Sequence, residues 1–153
     1  MLALENRLPP PILAAVLAVV MGVAAWGAPA TQVPAVVRFT LAGVFAVIGL
    51  ACAAPAFRAF SRARTTINPV DIEAASALVT DGIYRYTRNP MYVALSALLA
   101  AWAAYLGLAW AFLGPVIFVA FITRFQIIPE ERVLQAKFGA AYADYRARVR
   151  RWV

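Results

Sequence analysis

MYVALSALLAAWAAYLGLAWAFLGPVIFVAFIT, running from Met91 to Thr123, is thirty-three residues without a charge. As one helix at ~1.5 Å rise per residue it would be about 50 Å long, well beyond a hydrocarbon core of ~30 Å. The stretch therefore reads as two helices, roughly 91–105 and 108–128, turning near Gly107. The first limb is short, which predicts a tight, tilted hairpin. Two more uncharged runs precede it, Ile12 to Ala30 and Phe39 to Phe57, the latter with Arg38 at its start. Each is near the ~20 apolar residues that a spanning helix needs. The expectation is an all-α integral membrane bundle of about four transmembrane helices, forming one domain over residues 1–153.

Composition leads to the same class. The chain is 64% hydrophobic and only 14% charged, with a mean hydropathy of +0.77. Soluble domains carry roughly 25% charged and ~45–50% apolar residues, so a water-soluble globule is excluded. So much apolar surface cannot stay solvated, which excludes disorder as well. One cysteine, Cys52, provides no disulfide framework, and with no histidine there is no zinc set and no serine–histidine or cysteine–histidine pair. No metal site is expected. A cleavable signal peptide is the alternative for the first run, but the leader Glu5-Asn6-Arg7 is barely basic, and the run reads as a span.

Arg58, Arg62, Arg64, Arg85 and Arg88 lie in segment 58–90, and seven more basic residues lie in the tail 124–153. The turns near 27–37 and 103–110 hold none. Twelve of fourteen basic residues thus fall on one side, which the positive-inside bias makes the cytoplasm, with both termini there. A bacterial inner membrane suits that pattern. The net charge of +7 follows from this bias and from anionic headgroups, so no nucleic-acid partner is implied.

Polar residues gather in two places. The first is Gly82-Ile83-Tyr84-Arg85-Tyr86-Thr87-Arg88-Asn89-Pro90-Met91-Tyr92. Upstream of it, Asp71 to Leu78 reads as a short interfacial helix that Asp81-Gly82 breaks. Asn89 followed by Pro90 reads as an N-cap and first helical residue. That helix start, beside two arginines and three tyrosines, suits an anionic group and a flat ring. Taken singly, such residues equally fit an aromatic belt and lipid-phosphate contacts. The second place is Arg124-Phe125-Gln126-Ile127-Ile128-Pro129-Glu130-Glu131-Arg132. Two carboxylates in a first turn cap a helix, or hold a cation, or steer a nucleophile. Beyond them Leu134, Phe138, Ala141, Tyr145 and Val149 recur at helical spacing. They predict an amphipathic helix lying along the interface, either a lid or an anchor.

These clusters, in this order and joined by a hairpin, resemble the isoprenylcysteine carboxyl methyltransferase and phospholipid methyltransferase group of membrane enzymes. The matching residues are Leu78-Val79-Thr80-Asp81-Gly82-Ile83-Tyr84 and Arg88-Asn89-Pro90-Met91-Tyr92. Glu130-Glu131, Phe138-Gly139 and Tyr142 through Val149 follow. The resemblance covers about residues 65–150 and makes 65–153 the cofactor-binding and catalytic half, with two generic spans in 1–64. It implies methyl transfer from S-adenosyl-L-methionine to a lipophilic acceptor at the cytoplasmic face. The cofactor-binding residues it implies are Ser76, Ala77, Leu78 and Val79, then Tyr84, then Arg88, Asn89, Pro90, Met91 and Tyr92. Glu130, Glu131, Gln126 and Arg124 fall in the implied acceptor and catalytic set.

Two departures bear on the chemistry. Many relatives have histidine where this chain has Asn89, and an amide binds but does not transfer protons. Isoprenylcysteine-type relatives carry a basic residue four before the glutamate, where this chain has Gln126. That weakens a prenylcysteine carboxylate as acceptor and leaves a lipid amine, a thiol or another acceptor open. Methyl transfer is an in-line displacement that needs alignment and exclusion of water rather than a metal. A protonated amine would also need a base, for which Glu130 or Glu131 is the candidate. The competing reading is a non-enzymatic membrane subunit or transporter-like bundle whose polar clusters only anchor helix ends. Small residues throughout the spans permit close helix packing, and the oligomeric state is not legible.

Overall fold

The computed structural model describes residues 8–29, 31–63 and 77–153, and among them every regular element is helical. Helix α1 is Pro10–Trp26, α2 is Ala35–Ala63, α3 is Pro90–Leu106, α4 is Leu113–Ile122 and α5 is Ile128–Arg148. Short 3₁₀ turns, Gly82–Arg85 and Ala109–Phe112, lead into α3 and α4, and a π turn, Thr123–Ile127, joins α4 to α5. The fold is the expected all-α membrane bundle.

Proline opens α1, α3 and α5 in the first turn, where its missing N–H costs no hydrogen bond. The hairpin turns at Gly107, whose left-handed backbone (φ 72°) closes α3 by donating to the Ala103 and Ala104 carbonyls. A side chain there would also meet Arg38 and Thr31 at under 3 Å. Arg38, at the start of the second apolar run, is engaged by the protein. Its Nε donates to the Tyr105 carbonyl at 2.8 Å, which caps the negative end of α3.

Helix α3 is the centre of the bundle, lying mainly against α2 and also against α1 and α4. Its buried face is mostly alanine, at 94, 97, 100, 103 and 104, so neighbouring backbones approach closely. At Gly49 of α2 even a Cβ would lie 3.2 Å from the Ala94 carbonyl oxygen. Met21, Leu99, Ala103, Phe118 and Ile122 join α1, α3 and α4 in one apolar core. Meanwhile Val16, Val19 and Val23 of α1, Val44, Val47 and Leu50 of α2, and Val116 and Ile117 of α4 are exposed. Such continuous apolar faces suit lipid, not water.

Among the described residues, two helices are long and apolar enough to cross a membrane, Ala35–Ala59 and Ala109–Arg148. Only the part of the latter up to Ile128 is apolar, so Glu130 and the rest of α5 lie beyond the span. At seventeen residues each, α1 and α3 are about 26 Å long, at the short end of the spanning range.

The C-terminal region departs from expectation in two ways. First, α5 continues directly from the last span through the π turn. Pro129 cannot donate to the carbonyl four residues back, and its ring pushes that carbonyl away, so the chain widens instead of breaking. Second, Gly139 adopts φ 51°, ψ −122° inside α5. This resets the helical phase, so Tyr142 rather than Ala141 turns inward beside Tyr145. Their side chains pack with Ala56, Tyr84, Leu134 and Phe138, so this face is covered by protein. The helix expected over Asp71–Leu78 falls almost wholly outside the described residues, and Leu78 itself is not helical.

Candidate functional site

The hairpin returns the chain so that the starts of α3 and α5 meet. Tyr92 sits in the first turn of α3 and Glu130 in the first turn of α5. The Tyr92 hydroxyl donates to Glu130 Oε1 at 2.7 Å, and both side chains are buried. Gln126 Nε2 donates to the same oxygen at 2.7 Å. The π turn makes this possible: its extra residue per turn rotates Gln126 and Ile127 into the interior. Burial pushes the Glu130 carboxyl up to about 7, against the pull of the Gln126 and Tyr92 hydrogen bonds toward its charged form.

Glu131 has a different environment. Arg88 Nη2 donates to its Oε1 at 2.9 Å. Arg151 approaches both oxygens, Nε at 3.0 Å from Oε1 and Nη2 at 2.8 Å from Oε2. Two guanidinium groups on one carboxylate make Glu131 a charge-paired anchor. Arg88 retains unspent capacity: its side chain is 9% exposed, and its Nε and Nη1 have no partner among the described residues. Buried donors of a cation left unpaired cost about 1–3 kcal/mol or more each.

Asn89 stands at the N-cap position, but its side chain does not cap α3. Its Nδ2 donates to the Arg151 carbonyl at 2.9 Å. Thr87 Oγ1 accepts the Asn89 N–H at 3.2 Å, a local turn contact two residues apart, so the first turn of α3 has no side-chain cap. Met91, Leu78 and Val79 pack on the second apolar cluster with the buried Tyr84, Tyr142 and Tyr145. The Tyr145 hydroxyl donates to the Tyr84 carbonyl at 2.8 Å. Burial also lifts Tyr84, Tyr142 and Tyr145 above the ordinary phenol range, so they remain neutral donors.

Of the residues singled out from sequence, the structure gathers Arg88, Asn89, Pro90, Tyr92, Gln126, Glu130 and Glu131 at one end of the bundle. Tyr84, Met91, Leu78 and Val79 line the adjoining cluster, with Ala77 half-buried before them. Arg124 is not in the group: it is exposed, with its guanidinium over the Phe125 ring at 5.6 Å. Tyr86 is also outside, at 77% exposed. Ser76 lies outside the described residues. Sequence reasoning missed Thr87, Arg151 and Trp152, and of these only Thr87 carried a signal, by its place inside the first polar run. A separate open cavity of about 310 Å³, lined by Trp26, Pro29, Thr31, Arg38 and Leu106 among others, sits at the opposite end of α3.

The chain is similar to an uncharacterized protein of Haemophilus influenzae, 46% identical over 63 residues, which are 41% of this chain and 100% of that protein. No solved structure matches. The sequence model of the phospholipid methyltransferase family matches residues 37–141. That match runs from α2 into α5 and includes Tyr92, Gln126, Glu130 and Glu131, so the chain belongs to the phospholipid methyltransferase family.

Proposed function

We propose that this protein transfers a methyl group from S-adenosylmethionine to a nucleophile borne by a lipid, best an amine, at the cytoplasmic membrane face. The observation that carries the reading is the joining of the two polar clusters by the Tyr92–Glu130 hydrogen bond at 2.7 Å. Family membership supplies the methyltransferase class and the lipid-like substrate.

The residues present fit the cofactor. S-adenosylmethionine supplies, when bound, a methyl group activated on a sulfonium centre. Arg88 has two buried nitrogens, Nε and Nη1, without a partner among the described residues, which suit an anionic group such as the carboxylate of the cofactor's amino-acid portion. The aromatic residues Tyr84 and Tyr92 suit a cation and a flat base, and Leu78, Val79 and Met91 supply apolar surface near them.

The acceptor follows from what surrounds Glu130. Its hydrogen-bond partners, Tyr92 and Gln126, are neutral, and Arg124 is exposed. Nothing cationic among them is arranged to hold an acceptor carboxylate. A base with a pKa of about 7 is matched to removing the proton from an ammonium group, freeing the lone pair that attacks the methyl carbon. Exclusion of water by the apolar wall of α3 and α4 protects the transfer, and the exposed valine faces give a lipid tail access from the bilayer.

Titration calorimetry of the purified protein in detergent with S-adenosylhomocysteine tests the cofactor half. Saturable binding, weakened by Arg88→Ala, is expected, and well-folded protein that binds nothing refutes the reading. Incubation with membrane lipid extract and labelled methyl donor tests the other half, the label being expected in amine-bearing lipids.

A further inference from the structure

Residues 150–153 belong to no motif, yet they touch the starts of both α3 and α5. Val149 leaves α5 with an extended backbone (φ −120°, ψ 133°), and the chain folds back across the start of α3. The Arg150 carbonyl accepts the Arg88 N–H at 3.0 Å. The Arg151 carbonyl accepts from Asn89 Nδ2 at 2.9 Å and from Thr87 Oγ1 at 3.3 Å. The Arg151 guanidinium grips both oxygens of Glu131. Trp152 Nε1 then donates to Thr123 Oγ1 at 3.1 Å, at the first residue of the π turn that carries Gln126. Its ring packs against the core containing Tyr92 and Ile122.

Resting on the function proposed above, we infer that this segment is a positioning strap and that Arg151 is its principal positioning residue. The argument turns on how Glu131 divides its two oxygens. Arg151 holds Oε2 and shares Oε1, so Arg88 spends only Nη2 on the carboxylate. Without Arg151, the freed Oε2 sits beside a buried guanidinium whose Nε and Nη1 have no partner among the described residues. The carboxylate then rotates onto Arg88, because a fork-to-fork pair satisfies both. That rotation consumes the donors proposed for the cofactor and draws the first turn of α5, with Glu130, out of register with Tyr92. Arg151 thus keeps Arg88 available by occupying Glu131.

Three single variants of the full-length protein in detergent test this. Arg151→Ala is expected to bind S-adenosylhomocysteine roughly tenfold more weakly, a partly exposed pair being worth less than a buried one. Arg151→Lys, which restores one bond and the charge, is expected to recover most of that loss. Arg150→Ala removes an exposed side chain but keeps the carbonyl that Arg88 uses, and should bind like the parent. A readout free of ligand accompanies these: amide hydrogen exchange in Arg151→Ala should rise over residues 86–93 and 123–132 and stay unchanged in α1. Unchanged or tighter binding by Arg151→Ala, or unchanged exchange over those segments, overturns the inference. If the parent binds no S-adenosylhomocysteine the proposed function fails, and the exchange pattern still decides whether the strap orders the two helix starts.

Discussion

Tyr92→Phe deletes a single oxygen atom and with it one of the two hydrogen bonds on Glu130 Oε1, the 2.7 Å contact across the helix junction. The ring and its packing remain, so the change isolates the bond. A hydrogen bond to a charged group contributes about 1.5–3 kcal/mol, and 1.36 kcal/mol corresponds to one pH unit in a titration midpoint. The phenol favours the ionised carboxylate, which sits at about 7 with both donors in place. Its loss should therefore move the Glu130 midpoint upward by about one to two pH units. At neutral pH the ionised fraction would fall from near one half to about one in ten or fewer. With Glu130 as the base, methyl transfer at pH 7 drops by a similar factor and is recovered at higher pH. The midpoint is measurable without an acceptor. The chain has four glutamates, Glu5, Glu73, Glu130 and Glu131, so carbon-13 labelling of glutamate side chains gives a simple NMR titration in micelles, and Glu130→Gln assigns the signal. A parent midpoint in the ordinary carboxylate range, or no upward move in Tyr92→Phe, refutes the reasoning.

Glu131→Gln should destabilise the protein by about 3 kcal/mol, because it strands the buried Arg88, whereas Arg151→Ala should cost under about 1 kcal/mol from the more exposed partner. Denaturant unfolding in mixed micelles compares them, and equal losses would contradict the anchor role of Glu131. Gly107→Ala forces a Cβ into a left-handed backbone and against Arg38; a loss of at least about 1–2 kcal/mol is expected in the same assay. Val47, 65% exposed on α2, becomes a probe of the membrane when replaced by lysine. Insertion of α2 should become less favourable by about 2.5–3.5 kcal/mol in a glycosylation-mapping assay, and a neutral outcome would mean that this face does not meet lipid.

The expected hairpin was legible because its signals are local. A charge-free run too long for one span must turn, and Gly107 is where a left-handed residue is cheapest. The phase of α5 was not legible. A 3.6-residue pattern assumes an unbroken helix, and Gly139 exchanges Ala141 for Tyr142 on the inner face. Asn89 shows a related failure. Its position at the cap was correct, but its side chain turned to a carbonyl sixty-two residues later, a partner that no window of sequence contains. The two adjacent glutamates likewise read as one feature, while burial and partners separate them into a near-neutral acid and a paired anion.

What the sequence determined by itself is the class: apolar runs specify a helical membrane protein, and the two polar clusters carry the resemblance to its family. Those properties depend on composition and on spacing within a turn or two. The tertiary structure alone decided which groups share the site, because side chains on α3, the π turn, α5 and the terminal strap converge only after the hairpin closes. Burial then lifts the Glu130 carboxyl above the ordinary carboxylate range, and burial is a property of the packed chain.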